Sequence, residues 1–128
     1  MTVRIVRLGQ PRAATEGTRL GTVRRPPRGV PRKDFARLDW YDVWYPLLAP
    51  SVATMKLGQG ADTDKQWSAF ARKYRAEMAE KAASQSLDVL AALSQHADFS
   101  VGCYCENEAR CHRSLLRELL LARGARVE

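Results

Sequence analysis

All three cysteines and one of the two histidines of this chain fall between Cys103 and Arg113. Thiols and imidazoles ligate soft metal ions, and a thiol becomes a nucleophile once deprotonated. Three chemistries are open to such a cluster. The first is metal binding by Cys103, Cys105, Cys111 and His112. On a strand, Cys103 and Cys105 share a face, so both sulfurs approach one point. Cys111 follows a loop that can fold back, and three sulfurs with one nitrogen make a zinc set. Against this, the usual pair of Cys-x-x-Cys knuckles is missing, and neighbouring side chains such as Cys111 and His112 reach one ion awkwardly. Cys103 alone would pass for a small core hydrophobe.

The second chemistry is catalytic, with Cys111 as nucleophile and His112 as its partner. A cysteine at a helix start, beside His112, Arg110 and Arg113, has its thiolate favoured by the helix dipole and by these cations. The spacing of Cys105 and Arg110 is one residue short of a phosphatase-type loop. The third is anion binding by Arg24, Arg28 and Arg113 together with the first N–H groups of the last helix. Arginines on an irregular arm also serve simply to brace it through carbonyls. The favoured reading joins the last two: a thiol-containing pocket for a phosphate-like anion, with Cys111 and His112 supplying any chemistry and no resident cofactor. The alternatives are a structural zinc site and a non-enzymatic nucleic-acid-binding protein.

Other residues are weaker candidates. Trp40, Tyr41, Trp44 and Tyr45 could stack on bases, although tryptophans in the core and tyrosines partly exposed is the simpler arrangement. Glu106 and Glu108 could act as acid or base groups beside the thiols. His96 closes a helix and complements its dipole.

These residues need elements to hold them. Residues 99–104 read as a buried strand and residues 112–123 as a helix, with Gly124 closing it. The cluster is therefore a strand–loop–helix turn, the place where α/β proteins bind ligands. Residues 3–8 and 18–23 read as strands, and residues 24–38, with Pro26, Pro27, Gly29 and Pro31, as an irregular basic arm. Asp39 is expected to cap a short helix bearing Trp40, Val43, Trp44, Leu47 and Leu48, limited by Pro46. A turn or short helix runs from Pro50 through Leu57. Asp62 or Thr63 caps a helix over residues 64–82. Its stripe of Trp67, Phe70, Ala71, Tyr74 and Met78 is core, while Lys65, Arg72, Lys73, Glu77 and Glu80 face water. Another helix starts at Ser84 or Ser86 and ends near His96, and residues 125–127 add a last short strand. This rhythm predicts a single α/β domain over residues 1–128, a layered fold with a mainly parallel sheet flanked by helices. Parallel pairing then opens the ends of the second strand and of the cysteine strand on one rim, bringing Arg24 or Arg28 to the Cys111-His112-Arg113 turn.

The formal charge is +7 and the pI about 9.8. Arg4, Arg7, Arg12, Arg19, Arg24, Arg25, Arg28, Arg32 and Lys33 crowd the first half against few acids. Such a balance suits a small anionic ligand or nucleic acid. No run is long enough to span a bilayer, and the N-terminus lacks an apolar signal segment. A cytoplasmic location is expected, where cysteines stay free or bind metal.

Four segments carry a family resemblance. Residues 17–29, containing Arg24-Arg25-Pro26-Pro27-Arg28-Gly29, are similar to the signature segment of the YeaO-like domains of unknown function. Leu48-Ala49-Pro50-Ser51, the Trp67, Phe70 and Tyr74 helix, and Cys111-His112-Arg113 resemble further motifs of that family, in the expected order. Together they span roughly residues 17–121. Val23 and Pro26 stand where the family carries Asp and Trp, and Cys105 where many relatives carry Glu. The resemblance implies an α/β fold and an intracellular protein, and assigns no activity.

Overall fold

The computed structural model describes all residues from Met1 to Glu128. Strands β1 (Val3–Arg7), β2 (Thr18–Gly21), β3 (Val43–Trp44) and β4 (Phe99–Cys103) form one sheet in the order β1-β4-β2-β3, every neighbouring pair parallel. Helices α1 (Val52–Gln59), α2 (Asp64–Met78), α3 (Lys81–Leu93) and α4 (His112–Ala122) complete the α/β fold. No helix is long and apolar enough to cross a membrane.

β4 lies between β1 and β2 and is buried along its whole length. A central parallel strand is covered on both faces, hence the uninterrupted run of Phe99, Ser100, Val101, Gly102 and Cys103. The main core packs Val101 against Phe70, Tyr74, Met78, Leu87, Leu116 and Leu120. α2 begins with a capping box, Thr63 accepting from the Gln66 N–H and Gln66 reaching back to the Thr63 N–H.

The helix expected from Asp39 does not form. Asp39 has a φ of 62°, Val43–Trp44 pair with Leu20 and Gly21 as the edge strand, and only a 3-10 turn follows at Pro46–Leu48. Pro46 has no N–H for a helix. The Asp42 N–H and carboxylate are instead taken by the Arg19 carbonyl and N–H, at 2.8 and 2.7 Å. The change of period turns the aromatic residues round. Tyr41 is 3% exposed, packed where any Cβ on Gly21 would meet its ring, whereas Trp44 is 44% exposed.

Other boundaries shift for local reasons. α3 starts at Lys81, because Ser84 and Ser86 spend their hydroxyls on Arg123 and Tyr45 inside the fold. Glu77 does not face water. It accepts from the Ser51 N–H and hydroxyl and from Thr54, tying α1 to α2. Burial raises its carboxyl, but those donors outweigh burial and hold it below the usual range. The last expected strand is reduced to a single bridge, Val3 to Val127.

Gly17 sits at a φ of 75° with the Asp98 backbone carbonyl occupying the space of a side chain. Gly17→Ala should therefore cost about 2–4 kcal/mol, combining backbone strain with an overpacked contact. The check is a lowered urea midpoint with an unchanged slope.

Candidate functional site

β4 ends at Cys103, and the chain turns through Tyr104 and Cys105 to a 3-10 turn at Glu108–Arg110 and into α4. Asn107 caps that turn by accepting from the Ala109 N–H at 3.0 Å. Cys111 is the residue just before α4, extended at φ −129° and ψ 151°, and His112 is the first helical residue. That break in conformation lets adjacent side chains converge: Cys111 Sγ lies 3.8 Å from His112 Nδ1.

Cys103, Cys111 and His112 are all buried, and their ligand atoms lie within 4.8 Å of one another. The exposed Cys105 brings its sulfur to 3.7 Å from that of Cys103. Tetrahedral zinc, with Zn–S of about 2.3 Å and Zn–N of about 2.0 Å, separates its sulfurs by about 3.8 Å and sulfur from nitrogen by about 3.5 Å. The two contacts fall close to those values.

The imidazole is oriented by the end of β2. His112 Nε2 lies 2.8 Å from the Thr22 carbonyl, which can only accept, so Nε2 carries a proton and Nδ1 faces the thiols. The Tyr74 ring packs against the imidazole at 5.4 Å between centroids. The thiols polarise one another. Bonds from Cys103 and Cys105, with the nearby His112, hold Cys111 far below the usual thiol range against the opposing effect of burial. Bonding to Cys105 and Cys111, together with burial, pushes Cys103 far up. For Cys105, the bond with Cys103 lowers the thiol, but Cys111 and burial outweigh it and the net shift is upward, with Arg113 opposing.

The cluster forms one wall of a cavity of about 520 Å3 lined also by Arg24, Arg25, Lys56 and Arg110, with no carboxylate. Arg25 and Lys56 make no ion pair, whereas Arg110 is held by Asp64 at 2.5 Å and lies over the Trp67 ring. The structure thus brings Arg24 to Cys111 and His112 but gives its guanidinium to the carbonyls of Pro46, Ala49 and Pro50, leaving two of its five N–H groups. Arg28 lies instead in a neighbouring groove with Arg7, Trp40 and Tyr104. Arg113 is buried, donates to the Cys105 carbonyl at 2.6 Å and leaves its Nε without a partner. It braces the cysteine loop. Glu106 and Glu108 point to Arg7 and Arg117. Sequence reasoning missed Arg25, Lys56, the Thr22 carbonyl and Tyr74. Arg25 had a signal in its neighbour Arg24, whereas Lys56 and a backbone carbonyl had none.

Comparison with known families decides the chain's kinship. The profile DUF488-N3a, described as the active DUF488-N3 subclade, matches residues 3–124. The chain belongs to the DUF488-N3a family. The resemblance to YeaO-like domains is thereby borne out, since those are DUF488 members too. DUF488 denotes a domain of unknown function, so membership brings no reaction with it. Neither the curated proteins nor the solved structures contain a match to the chain.

Proposed function

We propose that this DUF488-N3a protein binds a zinc-type ion through Cys103, Cys111 and His112, at the wall of a cationic pocket that takes a small anionic ligand. The observation that carries this reading is the convergence of three buried ligand atoms within 4.8 Å. Two thiolates and an imidazole suit zinc over harder ions, and the Thr22 carbonyl supplies the outer partner that a ligating imidazole needs. Cys105 offers a fourth donor that a ligand can displace, because it alone of the thiols is exposed. Arg25 and Lys56 would attract the anion, and an ion with an exchangeable position would polarise an oxygen bound there. The contact between the adjacent Cys111 and His112 supports the metal reading, which the sequence leaves as an alternative to the thiol-containing anion pocket.

The protein purified without added chelator should hold about one zinc per chain after dialysis, measured by elemental analysis. Cobalt substitution should give thiolate-to-metal charge-transfer bands. Protein that takes up neither metal would defeat the reading.

The Cys111–His112 contact itself favours a second reading, in which the metal-free pair is catalytic: Nδ1 accepts the thiol proton, Sγ bonds to an electrophilic centre in the pocket as that centre's bond to its leaving group breaks, and the imidazolium returns the proton to the departing group. Rapid iodoacetamide labelling of Cys111 in metal-free protein, slowed by phosphate, would favour it. Labelling no faster than that of an ordinary thiol would count against it.

A further inference from the structure

We infer that the basic arm of residues 24–33 is a binding path for single-stranded nucleic acid, separate from the metal cluster at one end of it.

Three concavities lie along the arm and share its residues as walls. The first is the cavity beside the thiols, which includes Arg25 and Tyr104. The second, of about 550 Å3, uses the same Arg25 and Tyr104 and adds Pro26, Arg28 and Trp40. The third, of about 600 Å3, shares Pro26 and adds Arg32, Lys33 and Trp44. Each hollow therefore holds at least one cation of the arm and one aromatic ring.

The cations are free to receive a ligand. Arg25, Arg28, Arg32 and Lys33 make no ion pair, whereas Arg12, Arg19, Arg37 and Arg110 each hold a carboxylate. Asp42 is the one acid lining the three hollows, and Arg12 neutralises it at 2.7 Å. In the third hollow the buried Tyr41 hydroxyl has no hydrogen-bond partner.

The framework is braced in advance. The Tyr104 hydroxyl donates to the Arg25 carbonyl at 2.9 Å, the Trp44 Nε1 donates to the Val23 carbonyl at 2.8 Å, and Trp40 and Tyr104 meet edge to face at 5.8 Å. Fixed rings beside unpaired guanidinium groups match a ligand in which flat bases alternate with phosphates. Separate hollows suit a flexible single strand, whose bases can turn in one at a time. A duplex keeps its bases stacked inside.

The test uses the full chain and a fluorescein-labelled oligothymidylate of about 12 nucleotides, within the usual site sizes of such proteins. Anisotropy is followed against salt, with metal content measured on the same samples. Saturable binding is expected, with log affinity falling linearly with log salt and with quenching of tryptophan fluorescence. Arg28→Gln with Arg32→Gln, neither in the thiol cavity, should weaken binding about tenfold or more and reduce the salt slope by about 1.4, the share of two phosphates. Trp44→Ala should weaken binding by a similar factor. Arg72→Gln with Lys73→Gln, exposed on α2 away from the arm, should leave binding unchanged. The path is refuted by absence of saturable binding at low salt, by equal loss in the α2 variant, or by equal affinity for a duplex of the same length. Protein that takes up neither zinc nor cobalt but binds the strand would defeat the metal reading and leave this one standing.

Discussion

Cys111→Ser should weaken zinc binding by about a hundredfold while leaving the protein folded. Zinc held by such donor sets contributes roughly 10–16 kcal/mol in small domains, so losing one donor of three or four removes on the order of 3 kcal/mol, about a hundredfold in affinity. The substitution is informative because position 111 is also the cap of α4, where the cysteine makes no side-chain capping bond. Serine is a preferred cap. The helix should therefore hold at least as well, and a loss of metal cannot be charged to unfolding. Zinc content by elemental analysis, competition with a chromophoric chelator and the melting temperature with and without chelator are the measurements. The wild type should be destabilised by the chelator and the variant indifferent to it. A variant that holds zinc against the chelator as tightly as the wild type would remove Cys111 from the ligand set.

Arg19→Ala should be the most destabilising single change away from the cluster. Arg19 is 1% exposed and Glu16 2%, joined at 2.6 and 3.0 Å. The guanidinium also donates to the carbonyls of Gln10 and Asp39, and Ser100 of β4 donates to Glu16 at 2.6 Å. Removing the cation strands a buried carboxylate and two carbonyls, at a cost of about 3–5 kcal/mol, a large part of the 5–15 kcal/mol typical of a whole domain. The urea midpoint should fall by roughly 2 M. The pH response gives a second readout. Burial raises the Glu16 carboxyl, but Arg19 and Ser100 outweigh burial and hold it below the usual range. A carboxyl lowered on folding contributes stability above its unfolded value, about 4.3, and loses it as pH falls through the lower folded value. The wild type should thus weaken below about pH 4.3. Arg19→Ala should show less of that loss, since the orphaned Glu16 gains by taking a proton. Arg19→Met with Glu16→Leu should recover much of the stability, because an apolar pair leaves no stranded charge.

Arg19 also shows what a sequence hides. Among nine early basic residues it looks like the rest, yet it alone turns inward, because Glu16 lies three residues away across a tight turn and Ser100 comes from the central strand. Glu77 misleads in the same way: its spacing on α2 places it near the polar face, and only the docking of α1 supplies Ser51 and Thr54 as donors. Residues 40–48 have a helical apolar period, but the open edge of β2 pairs with Val43 and Trp44, and Pro46 blocks the alternative.

The sequence by itself determined the α/β class, the helices around Phe70, Leu87 and Leu116, and the strand–loop–helix turn that carries Cys103, Cys105, Cys111 and His112. Those signals are local: hydrophobic period, caps, glycine and proline, and the types of the reactive side chains. Only the tertiary structure decided which of them meet. The strand order places β4 in the centre and ends β2 beside it, so the Thr22 carbonyl orients His112 and leaves Nδ1 facing Cys111. It also assigned three arginines of one motif set to different tasks, Arg24 to carbonyls, Arg28 to the open groove and Arg113 to the loop. Distance in space between residues far apart in the chain is set by packing and strand pairing, and no local pattern encodes it.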